Sequence, residues 1–256
     1  MCKAILTLIT IMVVLLLSAI MGLSIFITLP LIVGRGMRDV TAKFLGAVSV
    51  GIIVFLIADV FTDSASILYN NTLAGYGTNA FYDLIFSVSL IAGFLVLYLA
   101  ETRSKNSGSP YMLSLFIALG IGFQNLTEGL VFGSSYNSIG LVGVTLVILV
   151  GFILQNMTEG FPISAPFIGK VGQKMIPMAI LFLVGGLPTI IGGGIGYFYS
   201  SSVLDLLFDG LAIGAMFYVI LPILRSLFRN SEIEVIRLVY MGSFLGFLLG
   251  FLVNLI

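Results

Sequence analysis

The chain has no histidine and no tryptophan, and only one cysteine, Cys2. The missing histidine removes the usual general base, the usual proton switch near neutral pH and the commonest metal ligand. A single cysteine excludes an internal disulfide framework and any site built from several thiolates. Without tryptophan, any aromatic belt at a membrane surface falls to Tyr and Phe. Charge is scarce as well: Asp, Glu, Lys and Arg make up 9% of the 256 residues, against about 25% in an ordinary soluble domain. Eleven basic and eleven acidic side chains cancel, so there is neither a basic face for nucleic acid nor an acidic tail.

What remains is apolar: 59% of the residues are hydrophobic and the mean hydropathy is +1.21. A bilayer core needs about 20 mostly apolar residues per helix. Eight such stretches are expected, at roughly 5–33, 44–62, 80–100, 111–133, 138–168, 175–199, 203–224 and 235–256. The reading is an all-α, multi-pass membrane protein forming a single transmembrane domain over 1–256. The first stretch lacks a small-residue cleavage site after a short apolar core, so it reads as a retained helix.

The basic residues test that count. Arg35, Arg38 and Lys43 fall between the first and second stretches, and Arg103 and Lys105 between the third and fourth. Lys170 and Lys174 follow the fifth, and Arg225, Arg229 and Arg237 follow the seventh. Connections near 63–79, 134–137 and 200–202 carry no Lys or Arg; only Lys3 stands apart from the alternation. The excess of Lys and Arg in cytoplasmic loops then puts both termini outside.

A repeat occupies the middle of the chain. Gln124-Asn125-Leu126-Thr127-Glu128-Gly129 in the fourth stretch returns as Gln155-Asn156-Met157-Thr158-Glu159-Gly160 in the fifth, matching at five of six positions. The two stretches run in opposite directions, and at about 1.5 Å per residue both motifs reach the bilayer midplane. Gln and Glu are four apart, so they share a helix face, and Asn borders it. Two antiparallel helices meeting there converge two carboxylates and four carboxamides. An ionised Glu at the bilayer centre costs about 2.5–3.5 kcal/mol even on a lenient scale, and two facing each other repel. A divalent cation between them relieves both costs, and oxygen ligands suit a hard ion. The plainer alternative is that these polar side chains glue helices together. A Glu in each copy favours function over glue, because acids inside a membrane are expensive to keep.

These blocks resemble the signature helices of the ZIP (Zrt/Irt-like) metal transporters, which read H-N-x-P-E-G in their fourth and fifth spans. Glu159-Gly160-Phe161-Pro162-Ile163-Ser164-Ala165-Pro166 is similar to that family's E-G-x-x-I-x-x-P continuation, and Gly214-Ala215-Met216-Phe217-Tyr218-Val219 to its G-A-x-x-Y-V segment in span seven. The resemblance implies eight helices in a 3+2+3 arrangement, with an inverted repeat of the first and last three and both termini extracellular. It also implies alternating access, one helix group sliding against the other, that carries zinc, iron, manganese or a similar divalent ion across the plasma membrane toward the cytoplasm. The metal residues by this reading are Gln124, Asn125, Glu128, Gln155, Asn156 and Glu159. No enzymatic activity, catalytic residue or resident cofactor is implied. Expected partners are the divalent metal ion and the lipid bilayer, with no nucleic acid and a homodimer left open. Three departures stand out: Gln124 and Gln155 replace the motif histidines, Thr127 and Thr158 replace its prolines, and Thr189 stands where span six often supplies another Glu. Losing imidazole relaxes any preference for borderline metals, and losing the third Glu favours a single metal site.

Four other acids fall toward the outer side. Asp59 and Asp63 are four apart at the expected outer end of the second stretch, and Asp205 and Asp209 at the start of the seventh. A cluster of four carboxylates there would concentrate cations at an entrance, with the deeper Asp59 and Asp209 lining the entry pathway and Asp63 and Asp205 solvated. Gly192-Gly193-Gly194-Ile195-Gly196 suits a close, sliding helix interface. Two other readings compete: a metal-binding membrane sensor or regulatory subunit that does not transport, and an intramembrane aspartyl protease. The protease reading is disfavoured because the G-x-G-D element it needs is missing beside Phe208-Asp209-Gly210.

Overall fold

A computed structural model describes residues 2–29, 38–70, 79–103, 109–167, 174–229 and 231–255. Among them there are no strands, and eight helices are long and apolar enough to cross a membrane. They are α1 (Cys2–Leu23), α2 (Asp39–Asn70), α3 (Ala80–Arg103), α4 (Pro110–Ile139), α5 (Val144–Ser164), α6 (Met175–Phe198), α7 (Ser202–Phe228) and α8 (Ile233–Asn254). Short 3₁₀ turns extend α1 over Ser24–Thr28 and α5 over Ala165–Phe167.

Local sequence explains several boundaries. Ser109 caps α4 by accepting the Met112 N–H at 3.2 Å, and Pro110 follows at the first helical position, where its missing N–H costs nothing. Gly140 ends α4 at φ 72° and Gly143 precedes α5 at φ 49°, a backbone region in which glycine alone avoids strain. The reversal between the two motif helices therefore lies at 140–143, and residues 134–137, expected as a connection, belong to α4. The second helix also runs well past the expected residue 62, to Asn70, so Asp59 and Asp63 sit within α2 and not at its end. Arg35, Lys105 and Lys170 of the charge pattern lie outside the described residues. Arg38, Arg103, Lys174, Arg225 and Arg229 border helix ends, and Lys43 and Arg237 fall in first turns of α2 and α8. Lys43 at the start of α2 bonds Ser231, just before α8, at 2.9 Å and pairs with Asp39 at 3.2 Å.

The helices pack as two sets. α4 lies along α6 in the most extensive interface, with α1 and α5 completing the first set; α2 along α8 and α3 along α7 make the second. The sets meet chiefly where α4 crosses α7 and α5 crosses α2. In the α4–α6, α2–α8 and α3–α7 pairs the backbones nearly touch, while α2 meets α7 at the Leu227 side chain beside Gly46. A Cβ on Gly129 would stand 2.2 Å from the Thr189 carbonyl oxygen, and one on Gly246 2.0 Å from that of Val48. Between the sets the nearest glycine contact is with side chains: a Cβ on Gly120 would meet that of Ala215 at 3.2 Å. The glycine stripe of α6 is therefore not a sliding face. Gly192 and Gly196 press on the Leu126 and Leu130 carbonyls of α4, and Gly193 on Ser18 of α1, inside one set.

Candidate functional site

α4 and α5 bring the two motifs face to face in the interior. Gln124, Asn125, Glu128, Gln155, Asn156 and Glu159 are all buried, none more than 5% exposed. Their amides bridge the helices reciprocally: Asn125 donates to Glu159 Oε2 at 2.9 Å, and Asn156 donates to Glu128 Oε2 at 2.9 Å. Each copy's Asn thus holds the other copy's Glu. Gln155 adds a bond to Glu128 Oε1 at 2.9 Å, and Gln124 reaches the same oxygen along its own helix at 3.2 Å. The four-residue spacing of Gln and Glu makes that last contact, as two turns of one face require. Asn125 and Asn156 spend their second N–H on the Gly185 and Phe152 carbonyls.

The oxygens are left over. Gln124 Oε1, Asn125 Oδ1, Asn156 Oδ1 and Glu159 Oε1 are buried with no hydrogen-bond partner. Native interiors rarely leave so many acceptors unpaired in one place. The donor set, two carboxylates and neutral carboxamide oxygens without nitrogen or sulfur, is what a hard or borderline divalent cation accepts. Glu128 and Glu159 are near enough to repel one another. Amide N–H groups answer that repulsion in this arrangement; a cation would answer it through the oxygens.

The outer acids stand near one another: Asp63 is within electrostatic range of Asp59 and Asp209, and Asp205 of Asp209. Among the described residues they do not close into a group of three that could hold one metal ion. Asp209 is buried at 3% exposure and accepts from Ser64 of α2 at 3.0 Å, with Thr127 of α4 beside it. Asp59 is half-buried, accepts from Asn254 of α8 at 2.6 Å, and stands within electrostatic range of both Glu128 and Glu159. Asp63 is exposed and Asp205 half-buried. Asp205 shares a small polar cavity of 140 Å³ with Ser134, Ser135 and Ser200 at the end of α4. Thr189 is fully buried on α6 with its hydroxyl unpartnered, and no acid replaces it.

Ser64 and the Gly185 carbonyl were not foreseen. A backbone carbonyl carries no signal in the sequence. Ser64 next to Asp63 reads as a solvated helix residue until α7 is placed against it. Compared with protein-family models the chain matches none, and no curated protein matches it.

Proposed function

We propose that this protein is a divalent metal cation transporter of the ZIP type, carrying zinc, iron, manganese or a similar ion through the α4–α5 site across the plasma membrane toward the cytoplasm. The observation that carries this reading is the reciprocal Asn–Glu lock with four unpartnered oxygens at its edge. Glu128 and Glu159 supply the charge that binds a cation, and Gln124, Asn125, Gln155 and Asn156 turn their oxygens to it. Asp59 and Asp209 line the entry on the side away from the arginines.

The finer architecture belongs to the same proposal: three helices, the motif pair, then three helices in inverted repeat, with both termini outside. If α1, α2 and α3 correspond to α6, α7 and α8, then α2 on α8 corresponds to α7 on α3, and α4 on α7 to α5 on α2. All four of these pairings occur among the packed helices, which supports the repeat. Alternating access by one helix group sliding on the other belongs to the same proposal; where α4 crosses α7 the glycine contact is with side chains, Gly120 against Ala215.

One observation favours a different reading. Glu128 already receives three amide bonds, as it would in a protein that only senses a metal or in which the motif is structural glue. Uptake separates these readings. Purified protein in liposomes, tested over a panel of divalent cations, is expected to accumulate at least one. Glu128→Ala and Glu159→Ala are expected to reduce uptake to background while Leu126→Ala leaves it intact. Wild-type flux in the double glutamate variant would remove the site from the transport path.

A further inference from the structure

A second feature lies outside the metal site, on the face where α3 packs on α7. Two cavities of 310 and 390 Å³ adjoin there and share Phe94, Leu95 and Leu221 as a common wall. The one farther from the charges is an open groove lined by apolar side chains, among them Leu90, Ile91 and Phe217. The other opens toward Tyr98, Glu101 and Arg225. From Leu90 to Glu101 the α3 axis advances about 16 Å at 1.5 Å per residue. That is roughly half of a 30 Å hydrocarbon core, the depth of one leaflet.

The charged end carries the specificity. Among the described residues the only ion pair joins Lys43 and Asp39, so Arg225 and Glu101 line one cavity without pairing to each other. Tyr218 in the same wall is buried, its ring against Phe94 and Phe116. A groove with a cation and an anion at one end, and an apolar stretch about one leaflet deep beyond them, matches one kind of molecule. We propose that it binds a single zwitterionic phospholipid with a primary-amine headgroup, of the phosphatidylethanolamine type, in the leaflet on the arginine-rich side. Arg225 grips the phosphate as a planar fork, and Glu101 accepts from the ammonium. One acyl chain fills the slot between Leu90 and Leu221. A choline headgroup has no N–H for Glu101, and an anionic glycerol headgroup brings no positive charge to it. The proposal depends on the membrane-spanning character of α3 and α7 and not on metal transport.

Delipidated protein in detergent, titrated with phosphatidylethanolamine, phosphatidylglycerol or phosphatidylcholine and read by native mass spectrometry, tests it. Phosphatidylethanolamine is expected to bind tightest. Glu101→Gln should reduce its advantage over phosphatidylcholine by roughly tenfold, the scale of one charge-assisted bond. Arg225→Gln should weaken all three lipids, since each carries the phosphate, and Arg225→Lys should weaken them less. Leu221→Trp fills the shared wall from a position 56% exposed, where the added bulk meets no packed neighbour, and should abolish binding of all three. Equal binding of the three lipids, or phosphatidylethanolamine binding untouched by Leu221→Trp, overturns the proposal. So does a lipid-free dimer that Leu221→Trp splits, which would give the groove to a second copy of the chain.

Discussion

The two motif copies are nearly the same in sequence and quite different in surroundings. Glu128 accepts three amide bonds; Glu159 accepts one from Asn125, with the Gln155 amide also near it, and keeps an unpartnered oxygen. The cause is the position of the parent helices. α4 is clasped between α6 and α7, whereas α5 runs along the 3₁₀ turn after α1 and meets α2 and α4 less extensively. A duplicated sequence therefore does not make a symmetric site. It makes one carboxylate with more amide partners and one with spare capacity; under the proposed function the latter would be the first contact for a cation.

The hardest test of this difference is at the motif glycines. A Cβ on Gly129 would run into the Thr189 backbone carbonyl, while one on Gly160 would meet the Thr28 hydroxyl first and the Ile25 carbonyl at 2.7 Å. Gly129→Ala is expected to cost more than about 3 kcal/mol, since backbone cannot turn aside, and to leave little folded protein in detergent. Gly160→Ala should cost less, and Thr28→Ala should recover part of the loss. Size-exclusion profiles and thermal unfolding of Gly129→Ala, Gly160→Ala and the Gly160→Ala/Thr28→Ala double variant measure it; equal losses without recovery would mean that the two crossings are equally rigid.

Next comes the carboxylate asymmetry. Glu128→Ala strands N–H groups of Gln124, Gln155 and Asn156, whereas Glu159→Ala strands one of Asn125; the other N–H of each Asn keeps its backbone carbonyl, Phe152 or Gly185. Each unsatisfied buried donor costs about 1–3 kcal/mol, and interhelical bonds in membranes fall near the low end. Glu128→Ala is thus expected to melt at a lower temperature than Glu159→Ala. The reverse order would show that Glu159 carries the structural load.

A smaller change concerns selectivity. Replacing Gln124 and Gln155 with His introduces imidazole into an oxygen site, and should raise affinity for Zn²⁺ relative to Mn²⁺ by roughly tenfold. Calorimetry on each single variant sharpens the comparison. Gln155 crosses to the other helix and Gln124 does not, so Gln155→His should have the larger effect. Unchanged relative affinities would exclude both as ligands.

The mildest expected effect is at Gly151. It lies on α5 with open space where a Cβ would go, in contrast to the tight motif glycines on both helices. Gly151→Ala should stabilise by up to about 1 kcal/mol through helix propensity. A loss of stability on thermal unfolding would reveal a neighbour pressed against α5.

Eight apolar spans, the place of each motif near mid-helix and the burial of its six polar side chains could all be read from residue order. Hydropathy over about 20 residues and a three-to-four residue polar spacing are local properties, written in consecutive positions. Which oxygen each amide serves was decided only in three dimensions. Asn125 reaching Glu159, Asn156 reaching Glu128, and Asp209 turning to Ser64 depend on how α4, α5, α7 and α2 cross. The glycine stripe of α6 shows the same limit: small residues announce a close approach but not its partner. That partner proved to be the backbone of α4 and a serine of α1, in one welded set. Composition along one helix specifies what it can tolerate beside it, and only packing among all eight determines which neighbour comes to rest there.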